Sequence, residues 1–327
     1  MGSVWGMRFL FNLVAGAVLA AAACGTAAQQ AYPSRAVRLI VPLSPGGTTD
    51  IMARTMAQQL AGSLGQQVIV ENRAGAGGTV GSDYVAKSAP DGYTLLIISA
   101  DTYTTNAVLY TRLPFDARKD LKPLSVLAAS PSILTVHPSL PVKTVKELIT
   151  LSKARPNDLN YGSGGTSGQL RMELLKFNTG MHITNIPYKG SGPALIDQIA
   201  GHVHVGFFNL VATAPYVVAG KLRGIVVTGS KRSNKLPAVP STKESGVKGF
   251  DENVGYLMLA PSATPKEIVS RLNTDIVKVL RGPEVSSRLV AEGSEVVGST
   301  PEEAMAVVNG QLDQWADIVR RTGIKLQ

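Results

Sequence analysis

"LIVPLSPGGTTDIMARTMAQQL", Leu39 to Leu60, holds an apolar burst that stops at a turn of Pro, Ser and Gly, followed at once by a helical pattern. Ile51, Met56 and Leu60 share roughly one helical face. A strand that ends in glycines just before a helix leaves backbone N–H groups aimed at one point. Such a point is a natural anion site. The anion is either a nucleotide phosphate or a carboxylate, and the rest of the chain has to decide.

The same grammar recurs. Apolar runs of strand length are "VRLIVPL", "QQVIVEN", "YTLLIIS", "SILTVH", "HITNIPY", "HVHVGFF", "RGIVVTG" and "YLMLAP", with helical patterns between most of them. Ile268, Leu272, Ile276 and Val279 line up on one such helix. Helix starts are written at Thr264-Pro265-Lys266-Glu267 and Thr300-Pro301-Glu302-Glu303, with Thr at the cap, Pro at the first position and Glu reaching back. Thr144 with Glu147 is a plainer version. Alternating strands and helices imply a mostly parallel sheet in each domain. "LNYGSGGTSGQLRMELLKFNTG", Leu159 to Gly180, repeats strand, Gly/Ser/Thr turn and helix, with Leu170, Leu174 and Phe177 on one face and Gly180 as the stop. "NIPYKGSGPALIDQIAG" gives a third case, with Gly190, Ser191 and Gly192 before Pro193. Ligands of open α/β sheets sit outside the carboxyl ends of the strands. Two sheets facing each other would set two donor-rich turns across one cleft, a clamp for a small anion. Any one Gly-rich turn is commonly just a turn; two, in separate halves of the chain, carry the argument.

Composition narrows the anion. Arg8 is the only charged residue before Arg35, and Phe9 to Ala23 is almost wholly apolar before "CGTAAQQA". This reads as a secretory signal, residues 1–28, with cleavage near Ala28. The rival is a lipid anchor at Cys24, for which "AAAC" is a poor signal. Cys24 is the single cysteine, so no disulfide and no Cys-based metal or redox site is expected. About 300 remaining residues suggest two domains. The net charge of +9 comes from scattered Lys and Arg. Such a balance steers anions but, lacking a basic stripe with interleaved aromatics, does not indicate nucleic acid. Export also argues against a nucleotide, so no cofactor is expected.

Several stretches together resemble the Bug/TctC solute-binding proteins of tripartite tricarboxylate transporters. They are "YPSRAVRLIVP", "PGGTTDIMAR", "ENRAGAGGTVGSDYVAKSAPDGYTLL", "NIPYKGSGPALIDQIAGHV", "APSATPKEIVSRLN" and "EVVGSTPEE". The resemblance covers Tyr32 to Lys325. It implies a type II periplasmic-binding-protein fold: two Rossmann-like α/β domains around a ligand cleft. The first domain would comprise residues 29–125 and 254–327, the second 126–253, with crossings near Leu124–Ala129 and Glu252–Leu257. It implies small carboxylic acids as ligands and integral-membrane transporter subunits as partners of a monomeric receptor. The family's two ligand loops map onto Ser44–Asp50 and Gly162–Ser167.

The chemistry of those loops is consistent. A carboxylate leaving water needs several good donors. Ser44, Gly46, Gly47, Thr48 and Thr49 can supply them from one side, and Ser163, Gly164, Gly165, Thr166 and Ser167 from the other. Asp50 would repel a bound carboxylate, so it is read as support for the loop and the helix dipole, with contact through water as the alternative. Tyr103, Asn106 and Tyr188 follow strands where loops point at the cleft, and are taken as pocket-lining; Asn106 matches a family Asn. Lys189 is read as solvated. Other chemistries fit less well. "NRAGAGGTVG" fails the dinucleotide spacing because Val80 stands where a third Gly is needed. His202 and His204 lie two apart with no evident third metal ligand; His137 and His182 read as loop or strand-edge residues. Ser163 has no G-x-S-x-G setting and no evident His partner. No catalytic residue is assigned.

The family segment lining the second domain often carries acids, in a pattern like V-D-x-x-F-D-N. Here it reads "VHVGFFNL", with His204 and Phe208 at the acidic places and Asn209 retained. A ligand ammonium needs a carboxylate or several carbonyls to replace its water. Phe208 offers an apolar surface instead, and Gly255 extra room where relatives carry an aromatic. The expected ligand is a carboxylate without an amine, an aromatic acid or a dicarboxylate. An exported enzyme on the same acid, or a sensor serving a membrane kinase, are the competing functions.

Overall fold

The computed structural model describes residues 32–250 and 253–324. The expected export signal, Cys24 and the Glu252 end of the expected second crossing lie outside the described residues. Strands β1 (Val37–Val41), β2 (Val68–Asn72), β3 (Thr94–Ser99), β4 (Leu121–Ser130), β10 (Val254–Pro261) and β11 (Glu295–Val296) form one sheet in the order β11-β4-β10-β3-β1-β2. Strands β5 (Ser132–Val136), β6 (Asn160–Ser163), β7 (Thr184–Pro187), β8 (Val205–Asn209) and β9 (Arg223–Val227) form the other, in the order β7-β6-β8-β5-β9. The parts built on these two sheets are called the first and second lobe below.

The expectation of mostly parallel sheets is only half met. β1 pairs in parallel with β2 and β3, and β6 with β7 and β8. β10 is antiparallel to both β3 and β4, and β5 is antiparallel to β8 and β9. The reason is connectivity. β4 carries the chain out of the first sheet and β10 brings it back alongside, with Val254 opposite Ser130 and Pro261 opposite Leu121. The outward passage is one residue long, Pro131 between β4 and β5. Residues 126–130, expected in the second domain, therefore stand on β4 in the first sheet.

Ten α-helices among the described residues complete the lobes. The first lobe holds α1 (Thr48–Leu64), α2 (Thr79–Ala86), α3 (Ala100–Leu109), α8 (Lys266–Arg281), α9 (Pro283–Ala291) and α10 (Pro301–Thr322). The second holds α4 (Val145–Ala154), α5 (Thr166–Thr179), α6 (Ser191–Ile199) and α7 (Leu210–Val218). In the first core, Ile40, Leu96, Ile98, Leu257 and Leu259 pack with Ala304, Val308 and Leu312 of α10. The far end of α10 leaves that core: Ile318 packs against the second-lobe core of Leu148, Leu174, Phe207 and Phe250. One helix thus touches both cores.

Local signals differ in outcome. Thr300 and Thr144 each form a full capping box with the Glu three residues on. Thr264 does not cap. Its hydroxyl donates to Pro261 O (2.7 Å), closing the turn after β10, and Pro265 takes the cap position of α8. Leu170 and Leu174 are buried as expected, but Phe177 is 59% exposed. Gly180 ends α5 in the left-handed conformation that glycine adopts without strain (φ 68°).

Candidate functional site: a cavity ringed by helix N-termini

β1, β3, β6, β7 and β8 each end at a turn that starts a helix: α1, α3, α5, α6 and α7 in that order. All five helix starts meet at one cavity between the lobes, of about 60 Å³. It is lined by Thr48 and Thr49 of α1, Ser99 and Thr102 at the start of α3, and Gly164, Ser167, Gly168 and Arg171 of the α5 region. Ser191 of α6, Ser132 at the start of β5 and Asn209, the cap of α7, complete the polar wall. Each helix start carries roughly half a positive charge. Two of the five are capped by a side chain, Ser99 accepting from Thr102 N and Asn209 from Val211 N. The other three begin at Gly47, Gly165 and Gly190, where no side chain caps the helix. Pro193 has no N–H and Asp50 N donates to Gly47 O (3.0 Å), so the uncapped first-turn N–H groups that can serve a guest include those of Thr48, Thr49, Thr166 and Ser167. Leu43, Phe207, Phe208, Val254 and Tyr256 form the apolar wall.

Arg171 is the only ionised side chain among the described lining residues. It is 12% exposed and pairs with Asp101 of α3, which is 4% exposed and belongs to the other lobe. Arg171 also donates to the Ser132 hydroxyl at the start of β5. Tyr256 reaches the cavity from β10, with its hydroxyl near the hydroxyls of Thr48 and Ser130. Burial pushes its pKa up, so the phenol stays neutral, and the nearby Arg171 charge opposes this only in part.

A seam of hydrogen bonds joins the lobes beside the cavity. Ser44 N donates to Lys189 O (3.1 Å). The Thr48 hydroxyl donates to Asn209 Oδ1 (3.2 Å) and accepts from Ala212 N (3.3 Å). The hydroxyls of Thr102 and Ser167 pair at 2.9 Å, and those of Thr105 and Thr166 at 3.1 Å. Thr166 also donates to Asn106 Oδ1, while Asn106 Nδ2 donates to Gly77 O (3.0 Å). The backbones approach closely: a Cβ on Gly192 would lie 2.1 Å from Pro45 O, and one on Gly47 would lie 2.5 Å from Ser191 Oγ.

The candidate residues therefore divide into groups. Thr48, Thr49, Gly164, Ser167 and Phe208 line the cavity. Ser44, Gly47, Thr166 and Asn106 stand at the seam instead, and Asn106 is a clamp rather than a wall. Gly46 supports its own loop, where its N–H donates to Asp50 Oδ2 (3.2 Å). Ser163 ends β6 with its carbonyl accepting from Tyr188 N, and Gly165 is the cap of α5. Asp50 points away from the cavity and is held by Arg54, Asn72 and Gly46 N–H. Burial pushes its carboxyl up, but those hydrogen bonds outweigh burial and leave the pKa below the usual value. It stays ionised and fixes the turn.

Two expected wall residues lie elsewhere. Tyr103 is 1% exposed in the first core, stacked near Phe115, with its hydroxyl donating to Ala117 O (2.6 Å). It faces inward because α3 turns its Thr102/Thr105 side to the seam, not its Tyr103 side. Tyr188 donates to Asp197 Oδ2 (2.6 Å), and burial followed by this bond pushes its pKa up to about 12. The Lys189 side chain is exposed. His202 lies by Asp197 and His204 by Asn160, so the two histidines have separate partners.

Gly255 does not widen the cavity. Val254 and Tyr256 face it, while Gly255, on the other face of β10, lines a groove with Val297 and Val307. Phe208 does reach the wall, 4% exposed, backed by Ala194, Leu195, Ala212 and Leu222. Gly206 makes room for its ring, since a Cβ there would lie 2.2 Å from Phe208 Cε2. Of the wall residues absent from the sequence reading, Arg171 left the clearest trace. Ser167 and Arg171 stand four apart, one turn of α5, so they share a face just beyond the Gly164 turn.

Two α/β lobes joined by crossing strands, with helix starts facing one cleft, define a two-lobed solute-binding protein of the type II periplasmic kind. The family described as "Tripartite tricarboxylate transporter family receptor" (TctC) matches residues 52–324. The chain belongs to that family. It is similar to BugT of Bordetella pertussis, with 38% identity over 299 residues that cover 90% of this chain and 92% of the relative. A structure of MatC from Rhodopseudomonas palustris with bound malate is 30% identical, with a TM-score of 0.85, covering 88% of this chain and 100% of that one. A second R. palustris protein, solved with adipate, is 38% identical, with a TM-score of 0.86, covering 90% of this chain and 99% of that one.

Proposed function

We propose that this chain is an exported, non-catalytic receptor. It captures a small carboxylate lacking an amine in the cavity between its lobes and delivers it to a membrane transporter. The observation that carries this reading is the composition of the wall. Five helix starts, a row of hydroxyls and one guanidinium face the cavity, and no carboxylate side chain does among the described residues. An anion gains charge-assisted hydrogen bonds there, whereas an ammonium would meet Phe207, Phe208 and positive helix ends. The malate and adipate found in the two relatives are carboxylates without an amine, as this wall favours. No helix among the described residues is long and apolar enough to cross a membrane.

A space of about 60 Å³ is small for a whole ligand. It admits a carboxylate head, so a longer body requires the lobes to part along the seam and close again around it. A thermal-shift panel of amino acids, citrate-like acids, aliphatic diacids and benzoate-type acids tests the reading. Diacids or aromatic acids should give the largest shifts. Aspartate or glutamate giving the largest shift would overturn it.

A further inference from the structure

Arg171 stands between two spaces. On one side is the cavity with its helix starts; on the other is a large groove beneath α10 that Asp101 also lines. Asp101 itself does not line the cavity. It sits behind the guanidinium and is held there by Gln311 of α10, whose Nε2 donates to Asp101 Oδ1 (3.2 Å) and whose Oε1 accepts from Thr104 (3.3 Å). The cavity's one cation therefore faces a guest with its own charge already matched from behind. A buried pair of this kind loses much of its solvation, so each charge acts strongly on whatever enters next to it.

We propose that Asp101 is a specificity-determining residue that sets how many negative charges the ligand carries. This rests on the carboxylate reading above and adds to it. With Asp101 ionised, Arg171 and Asp101 sum to zero net charge, and the pair attracts the guest far less than a lone guanidinium would. That arrangement limits the advantage of a dianion over a monoanion. Removing the Asp101 charge leaves Arg171 uncompensated, and the second carboxylate of a diacid then gains a full extra attraction. Removing the Arg171 charge leaves Asp101 uncompensated and penalises the second carboxylate. Removing both returns the sum to zero.

The test uses straight-chain diacids from malonate to adipate and the monomethyl ester of each. Each diacid and its ester share a body and differ by one charge. Calorimetry gives the ratio of diacid to monoester affinity for the wild type, Asp101→Asn, Arg171→Gln and the double variant. Asp101→Asn should raise the ratio about tenfold or more, as expected for one added charge acting across roughly 8 Å of partly screened protein. Arg171→Gln should lower it by a similar factor, and the double variant should return it to near the wild-type value. A purely structural role for the pair predicts something else: equal losses for both ligands, with the double variant no better than the worse single one. That outcome, or an unchanged ratio, overturns the proposal. The double variant buries no unpaired charge, so it remains a fair test if a single variant folds poorly. A wild type that takes neither diacids nor monoesters also overturns the proposal. If the whole carboxylate panel is silent too, the reading beneath it falls as well.

Discussion

Gly192→Ala should fold as stably as the wild type and bind its ligand about 100-fold more weakly. Gly192 is the second residue of α6, where a helical alanine is tolerated or mildly favourable. Within its own lobe the added methyl costs little. Across the seam it would sit 2.1 Å from Pro45 O, a backbone atom with nowhere to go. The two turns must then separate, stretching the contacts from Ser44 to Lys189 and from Thr48 to Asn209. Thermal unfolding together with calorimetry separates the two effects. A large loss of stability, or full affinity, would contradict the seam as the closing surface.

Gly164→Ala should do the opposite and damage the fold itself. Its Cβ would lie 2.4 Å from Ser191 N and 2.5 Å from Ser191 Cα, both backbone atoms of the same lobe. The turns before α5 and α6 pack directly on one another, and no side chain can yield. Overpacking against rigid backbone costs about 3 kcal/mol, which lowers the melting temperature by roughly 5 °C in a protein of this size. Differential scanning calorimetry checks it; a drop under about 2 °C would mean that the α5 and α6 turns can move apart freely.

These two glycines show how far the sequence could be read. Both belong to Gly/Ser turns visible as strand-to-helix junctions, because that signal is local: an apolar run, small residues, then helical periodicity. The two-lobed α/β architecture followed from repeating that signal and from the family motifs. What each turn touches is not local. Gly192 opposes Pro45 across more than a hundred residues of sequence, and no periodicity encodes it. The same holds for Asp101 and Arg171, each an ordinary charged residue on a helix until the lobes are brought together. Tyr103 misled because a residue just after a strand can turn either way; the hydroxyl stripe Thr102/Thr105 took the seam and sent the ring inward. β4 and β10 misled on sheet direction because a strand that leaves a lobe and one that returns look alike as apolar runs. Thr264 carried a cap motif, but the chain used its hydroxyl one turn earlier.

The most direct test of the central claim is a crystal structure of the protein with adipate bound. The account predicts a carboxylate within hydrogen-bond distance of first-turn N–H groups at Thr48–Thr49 and Thr166–Ser167, close to the Arg171 guanidinium and against Phe208. Adipate lodged instead in the groove beside Trp315, or held in the cleft with neither turn donating to it, would contradict the account.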